Sequence, residues 1–361
     1  MQQRTPEIHV DPNDVLAELG RAPRAYTTRH VPLALQTGLT GGTPRAGDLV
    51  LARVDALGSH RRIHLPDGRR QNLFVGDHIV VAYADRYAPK QFEATVPMDL
   101  GPCHLVAAGG VAAEALSWHD SVRRGPTPIT PLGLIAGSDQ GTPLNVSDFT
   151  LGPPGDPVSE TAPVIAFFGT AMDAGKTTAA AYLTRGLHRA GLRVGFAKVT
   201  GTGAGGDPFL LRDAGASPVL DFTDVGYVST YRVATSKVED TAITLTDHLR
   251  ADPVDVILLE VADGLLQAET AALLESPRFA ELIDGVIFAA SDAMGAASGV
   301  ERIRNAGHDL LAVSGKLTAS PLQIREALYT TGSPVIHTDQ LLDPSEALKV
   351  LAPIRSGGTR A

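Results

Sequence analysis

One stretch constrains this chain more than any other: Val164-Ile165-Ala166-Phe167-Phe168-Gly169-Thr170-Ala171-Met172-Asp173-Ala174-Gly175-Lys176-Thr177-Thr178. An apolar run ends in a glycine, a loop of small residues follows, and Gly-Lys-Thr-Thr opens a helical pattern that continues through 179–183. This is the strand–loop–helix context that a phosphate-binding loop requires. Backbone amides of such a loop and of the helix start converge on one concavity and attract phosphate oxygens. Lys176 is the residue placed to reach the β- and γ-phosphates, and the Thr177 hydroxyl the one placed on Mg²⁺. The candidate nucleotide-binding residues are therefore Gly169, Thr170, Ala171, Met172, Asp173, Ala174, Gly175, Lys176, Thr177 and Thr178. One departure stands out: the strict pattern wants glycine at position 170, where the chain has Thr170, and the glycine comes one residue earlier.

The 361 residues suggest two domains, each large enough for its own core. A net charge of −9 argues against binding along a nucleic-acid backbone, which needs clustered Lys and Arg. A single cysteine, Cys103, excludes an intrachain disulfide and fits a reducing compartment; it reads as a small buried thiol. The start, Met1-Gln2-Gln3-Arg4-Thr5-Pro6, has no apolar signal core, and no apolar run is long enough to span a bilayer. The expected location is cytoplasmic, with no membrane partner.

Residues 1–150 read as a smaller, mostly-β domain. A short helix is expected over 13–20, then strands over 48–54, 62–65 and 77–83, with Pro66-Asp67-Gly68-Arg69 as a turn. Short strands punctuated by Gly, Pro and Asp suggest a barrel or sandwich. The run 106–113 is expected to pass from a strand end into a helix, and 129–135 to form a strand. His60, His64, His78, His104 and His119 lack zinc spacing and read as solvated or hydrogen-bonded side chains. The pairs Arg61-Arg62 and Arg69-Arg70 read as exposed hairpin charges, with an anionic ligand on one face as the alternative. Residues 151–162 carry Gly-Pro-Pro-Gly and read as an interdomain linker.

Residues 163–361 read as a parallel α/β sheet flanked by helices. Expected strands at 193–199, 254–261, 285–290, 310–314 and 334–337 alternate with helical patterns such as 298–307 and 321–329. Ligands of such sheets sit at the carboxyl ends of the strands. There the chain has Lys198, followed by the flexible-looking run 200–207, and Glu260, after a sharp apolar-to-acid transition. Lys198 could add positive charge over a triphosphate or hold an anionic substrate. Glu260 is the candidate to orient Mg²⁺ together with Thr177. Ser291-Asp292 ends a later strand. Ser314-Gly315-Lys316 ends another, facing a base or forming a plain turn. Asp213-Ala214-Gly215 and Asp221-Phe222-Thr223-Asp224 read as loop caps or as acceptor-holding clusters.

These residues resemble the dethiobiotin synthetase family of P-loop NTPases. Gly169-Thr170, four residues, then Gly175-Lys176-Thr177 reproduce that family's loop and its displaced glycine. Asp173 matches its loop acid, Lys198 its second-strand lysine, and Glu260 with Gly264-Leu265-Leu266 its acid and following turn. Ala293-Met294-Gly295 matches a later turn more loosely. The resemblance covers about 162–340 and implies ATP, Mg²⁺, a small phosphorylated acceptor and a homodimer. It makes Lys176, Lys198, Asp173 and Glu260 the catalytic candidates. Val261 and Asp263 stand where the family has glycines, which points away from the biotin-pathway substrate.

Two functional readings follow. The first is a Mg-dependent enzyme moving the γ-phosphoryl of ATP to a small metabolite, as a kinase or as a ligase acting through an acyl or carbamoyl phosphate. The second is a nucleotide-switched adapter or metallochaperone-type NTPase.

Overall fold

Short strands punctuated by Gly, Pro and Asp in the first half, and continuous apolar runs separated by helices in the second, build two different kinds of sheet. A computed structural model of the chain describes residues 12–137 and 141–356. The reading of Met1–Pro6 falls outside them. The chain divides into one unit running up to Arg86 and over Phe92–Phe149, and a second made of Tyr87–Gln91 and the chain from Thr150 onward.

In the first unit, helix α1 (Pro12–Arg21) precedes ten strands: β1 (Gly38–Thr40), β2 (Leu49–Val54), β3 (Arg62–His64), β4 (Arg70–Asn72), β5 (His78–Tyr83), β6 (Arg86–Tyr87), β7 (Phe92–Thr95), β8 (Cys103–Ala107), β9 (Val111–Trp118) and β10 (Thr127–Ala136). Most join one sheet in the order β1-β10-β2-β5-β9-β7-β6, with β8 pairing β10 and β9, while β3 and β4 form a separate ribbon. The inner faces of β2, β5, β8 and β10 close over a core that includes Val50, Ala52, Ile79, Val81, Leu105, Ile129 and Leu134. The expected passage into a helix over 106–113 does not occur. Gly110 takes a left-handed φ of +97° at the turn, and β9 returns antiparallel to β8. Cys103 is 2% exposed, and burial pushes its thiol up to about 12, so the thiolate is disfavoured.

The second unit carries β11 (Val164–Gly169), α2 (Lys176–Arg189), β12 (Val194–Lys198), α3 (Gly206–Ala214), β13 (Val219–Asp221), α4 (Thr235–Arg250), β14 (Val256–Glu260), α5 (Ala268–Leu274), α6 (Pro277–Leu282), β15 (Gly285–Ala289), α7 (Ala293–Asn305), β16 (Leu310–Ser314), α8 (Pro321–Thr331) and α9 (Pro344–Ser356). All six strands are parallel, in the order β13-β12-β14-β11-β15-β16. Helices cover both faces. One core packs α4 and α7 on the sheet through Val238, Leu245, Val300 and Ile303; the other packs α2 and α9 through Leu183, Leu187 and Leu351. This is why β11, β14 and β15 are apolar without alternation: neither of their faces meets water. The chain crosses from one side of β11 to the other after β14, which makes the carboxyl end of β11 the switch point where such sheets leave a crevice.

The expected strand at 334–337 is reduced to one bridge between Val313 and Val335, since His337 turns the chain into a short 3-10 helix. No helix among the described residues is long and apolar enough to cross a membrane.

Gly299 of α7 lies against the Phe288 ring of β15; a Cβ there would fall 2.0 Å from the ring. Gly299→Val should therefore destabilise the fold by about 1–3 kcal/mol through overpacking. A lowered urea midpoint is expected, and an unchanged one would contradict this helix–sheet contact.

Candidate active site

Sheet register decides which side chains meet. Glu260 is the register partner of Phe167 on β11 and of Lys198 on β12, so the ends of these three strands lie side by side. Two residues past Phe167 the chain leaves β11 into the loop 170–175. Its path is set by two left-handed residues, Asp173 (φ 65°) and Gly175 (φ 104°). Such φ values curl successive amides around a concavity suited to an anion. Gly175 is the N-cap of α2 and has no side chain to cap the helix, so its orphan amides and positive dipole end are left for a ligand. Ala174 is buried, and its carbonyl accepts from the Lys316 amide at 2.9 Å. The Ser314-Gly315-Lys316 turn thus braces the loop from behind: a Cβ on Gly175 would lie 3.1 Å from the Gly315 Cα.

Lys176, 5% exposed, donates from Nζ to the carbonyls of Ala171 (3.0 Å) and Asp263 (2.5 Å). Burial lowers its pKa, opposed by Glu260 and Asp263. The Thr177 hydroxyl donates to Glu260 Oε1 at 2.9 Å. Glu260 is 2% exposed, and its Oε2 is buried with no hydrogen-bond partner. Burial raises the Glu260 pKa, against the pull of Lys198, Lys176 and the Thr177 bond. Lys198 Nζ lies 3.7 Å from Glu260 Oε1 and makes a closer ion pair with Asp207 in the first turn of α3. Burial acts to lower the Lys198 pKa, yet Asp207 and Glu260 together raise it, so its charge is secure.

A buried carboxylate with one oxygen on a threonine hydroxyl and the other unsatisfied is a fitting donor set for a hard divalent cation. Thr177 and Glu260 could hold Mg²⁺ directly or through water. Lys176, the loop amides and the uncapped helix could hold the phosphates. The sequence-expected residues Gly169 to Thr178, Lys198 and Glu260 thus share one end of the sheet. Asp173 is exposed at the loop's outer turn.

Asp207 and Asp263 were not singled out as site residues from sequence. Asp207 belonged to the run expected to be flexible, but its last two residues, Gly206 and Asp207, begin α3, and the rest is pinned. Gly201 donates to Thr230 Oγ1 at 2.9 Å, and Gly203 to the Val228 carbonyl at 2.9 Å. Asp263 has φ +62°, the backbone that a glycine adopts readily, which explains how it can stand where the resembling family has glycine. Gly264 packs so closely on the loop that a Cβ would fall 2.2 Å from the Thr170 carbonyl. Beside these residues lies a small polar hollow of about 10 Å³, room for about one water, whose walls include Thr200, Thr202, Tyr231, Asp263, Gln267 and Glu269. Elsewhere the acids serve the fold. Asp221 accepts from the Thr223 amide (2.8 Å) and Asp224 from the Asp221 amide (2.7 Å), while Asp213 sits in the last turn of α3 ahead of the Gly215 cap. Asp292 caps α7 by accepting from Gly295 at 2.7 Å, and the Ser291 amide bonds Thr170 Oγ1 at 3.2 Å.

A parallel sheet with helices on both faces, a loop of this conformation at its switch point and an acid on the adjacent strand define the P-loop NTPase fold class. No family model and no curated protein matches the sequence. Solved structures to which the chain is matched include the 54 kDa signal recognition particle protein of Aeropyrum pernix K1 in complex with GDP: TM-score 0.37, 18% identity, 56% of this chain and 50% of that one. The signal recognition particle receptor FtsY of Elizabethkingia anophelis in complex with GDP is matched at TM-score 0.38 and 14% identity, over 57% of this chain and 68% of that one. The alignment thus spans half the length of the first neighbour.

Glu260→Gln removes the anionic oxygens while keeping the volume. Nucleotide binding should then need about 10–100-fold more Mg²⁺ to reach half-saturation. A Mg²⁺ titration at fixed nucleotide that is unaltered would take Glu260 out of the metal site.

Proposed function

We propose that this chain is a Mg-dependent P-loop NTPase, using ATP, that moves the γ-phosphoryl group to a small polar metabolite, as a kinase or as a ligase acting through an acyl or carbamoyl phosphate. The observation that carries the reading is the buried Glu260 carboxylate: it is bonded to Thr177, flanked by Lys198 and left with one oxygen unsatisfied at the phosphate loop. Two lysines converging there suit a transferring phosphoryl group, whose charge spreads over its equatorial oxygens. The dethiobiotin synthetase resemblance points to the same chemistry through Gly169-Thr170, Gly175-Lys176-Thr177, Lys198 and Glu260.

Each residue has a distinct part in this reading. Lys176 gives up its contacts with the Ala171 and Asp263 carbonyls to take phosphate oxygens, which frees the Asp263 turn to respond to the nucleotide. Lys198, fixed by Asp207, keeps its proton and supplies positive charge on the acceptor side. Thr177 and Glu260 hold Mg²⁺, which when bound supplies neutralisation of the phosphate charge.

Hydrolysis of Mg-ATP by the purified chain should be slow and should rise with the small-molecule fraction of a cell extract. Stimulation by the macromolecular fraction alone would favour the nucleotide-switched adapter instead. Lys176→Ala should lower turnover by roughly two to three orders of magnitude, the scale of losing one charge-stabilising donor. Lys198→Ala should lower turnover more than nucleotide affinity. Wild-type turnover in Lys176→Ala would overturn the site, and equal loss of both quantities in Lys198→Ala would reduce Lys198 to a binding residue.

A further inference from the structure

A second concavity lies wholly in the first unit, against the β3–β4 ribbon that stands apart from the main sheet. Its volume is about 710 Å³, large enough for a metabolite, and its walls include Leu57, His60, Arg61, Arg62, Leu73 and Phe74. The ribbon is tied to the main sheet's β8–β9 turn, where the His64 amide donates to the Ala108 carbonyl at 2.7 Å. Ile63 and Leu73 are buried in the core. The cavity wall is therefore a fixed surface, and its exposed side chains are presented on a rigid support.

Its charge is one-sided. Among the described residues no carboxylate lines it. Of the acids on neighbouring segments, Asp55 pairs with Arg53 and the Thr130 hydroxyl and Asp67 accepts from the Arg69 amide, while Asp77 accepts from the amide of Phe74, itself a wall residue. Arg62 is steadied through Nε by Asn72 Oδ1 at 3.0 Å, and Arg61 has no acidic partner among the described residues. His60 adds no charge near neutral pH, since burial, with Arg86 beside it, pushes its pKa down to about 4. What remains is a pair of guanidinium groups in a chain whose net charge is −9. Beside them, Phe74 is 67% exposed, so one face of its ring is open to a molecule in the cavity.

We infer that this cavity binds a small anionic molecule with an apolar, flat body, its phosphate or carboxylate held by Arg61 and Arg62 and its body set against Leu57, Leu73 and Phe74. Paired guanidinium groups suit bidentate recognition of a carboxylate or phosphate, and an aromatic wall discriminates a flat body from a bare ion. A pocket of this size, in a chain whose net charge is −9, fits a metabolite better than a nucleic-acid strand. The inference does not depend on the phosphoryl-transfer reading, because none of its residues belongs to the phosphate loop.

The test uses phenyl phosphate as probe, titrated calorimetrically into the full chain carrying Lys176→Ala, which disables the phosphate loop. Saturable binding at one site is expected, weaker with inorganic phosphate and absent with phenol. Adding Arg61→Ser and Arg62→Ser should weaken it by about tenfold or more, the scale of losing charge-assisted hydrogen bonds. Both arginines are exposed, and an unchanged thermal midpoint would show that the fold is kept. Phe74→Ser should weaken phenyl phosphate and leave inorganic phosphate unaffected. No saturable binding, or binding indifferent to the two arginine substitutions, would overturn the inference. So would a single-stranded oligonucleotide that binds through the same arginines more tightly than the probe.

Discussion

A carboxylate placed where water cannot reach it must be stabilised by something, and Glu260 sets that demand for the whole second unit. With 2% exposure it sits at the end of a strand buried on both faces, and only one of its oxygens is hydrogen-bonded. An unpaired charge in such a place would cost several kcal/mol. Here the cost is offset by Lys198 on the next strand, by Lys176 and by the Thr177 hydroxyl at the start of α2. These groups come from two elements, β12 and the first turn of α2, which flank the strand that carries Glu260. The strand order β12-β14-β11 is therefore a condition of the electrostatics and not only of the packing.

The same arrangement makes the site responsive. Lys176 spends its donors on two backbone carbonyls, one in its own loop and one at Asp263, whose left-handed backbone is a strained position for a residue other than glycine. Asp263 also borders the polar hollow beside the loop. In the proposed reading, phosphate binding at Lys176 is thus felt at the Asp263 turn. Asp207 completes the circuit by fixing Lys198 from the opposite side.

Much of this was legible in the chain because the signals are local. Apolar runs without alternation announced strands covered on both faces, and the spacing from Gly169 to Thr177 placed a loop and a helix start between them. The strand-end rule then brought Lys198 and Glu260 to the same edge, where the register pairs them. What stayed hidden depends on contacts distant in sequence. The run 200–207 looks flexible from its glycines, yet it is tied to Ser229 and Thr230 across the fold, and Asp207 acquires its role only because α3 turns it back on Lys198. Val335 has strand-like neighbours, but one bridge to Val313 is all the geometry allows before His337 begins a turn. In the first unit the strands at 48–54 and 77–83 could be read from composition. The passage at 106–113 could not, since Gly109-Gly110 serves a hairpin as readily as a helix start and only pairing with β8 decides between them.

The central claim is that a cradle for a metal-bound triphosphate is already assembled around Glu260. Calorimetric titration of ATP into the wild-type chain, with saturating Mg²⁺ and again with the metal removed by chelator, tests it most directly. The account predicts one binding site whose affinity falls by at least about tenfold without the metal, a change of about 1.4 kcal/mol. Equal affinity in the two titrations, or no binding in either, would contradict it.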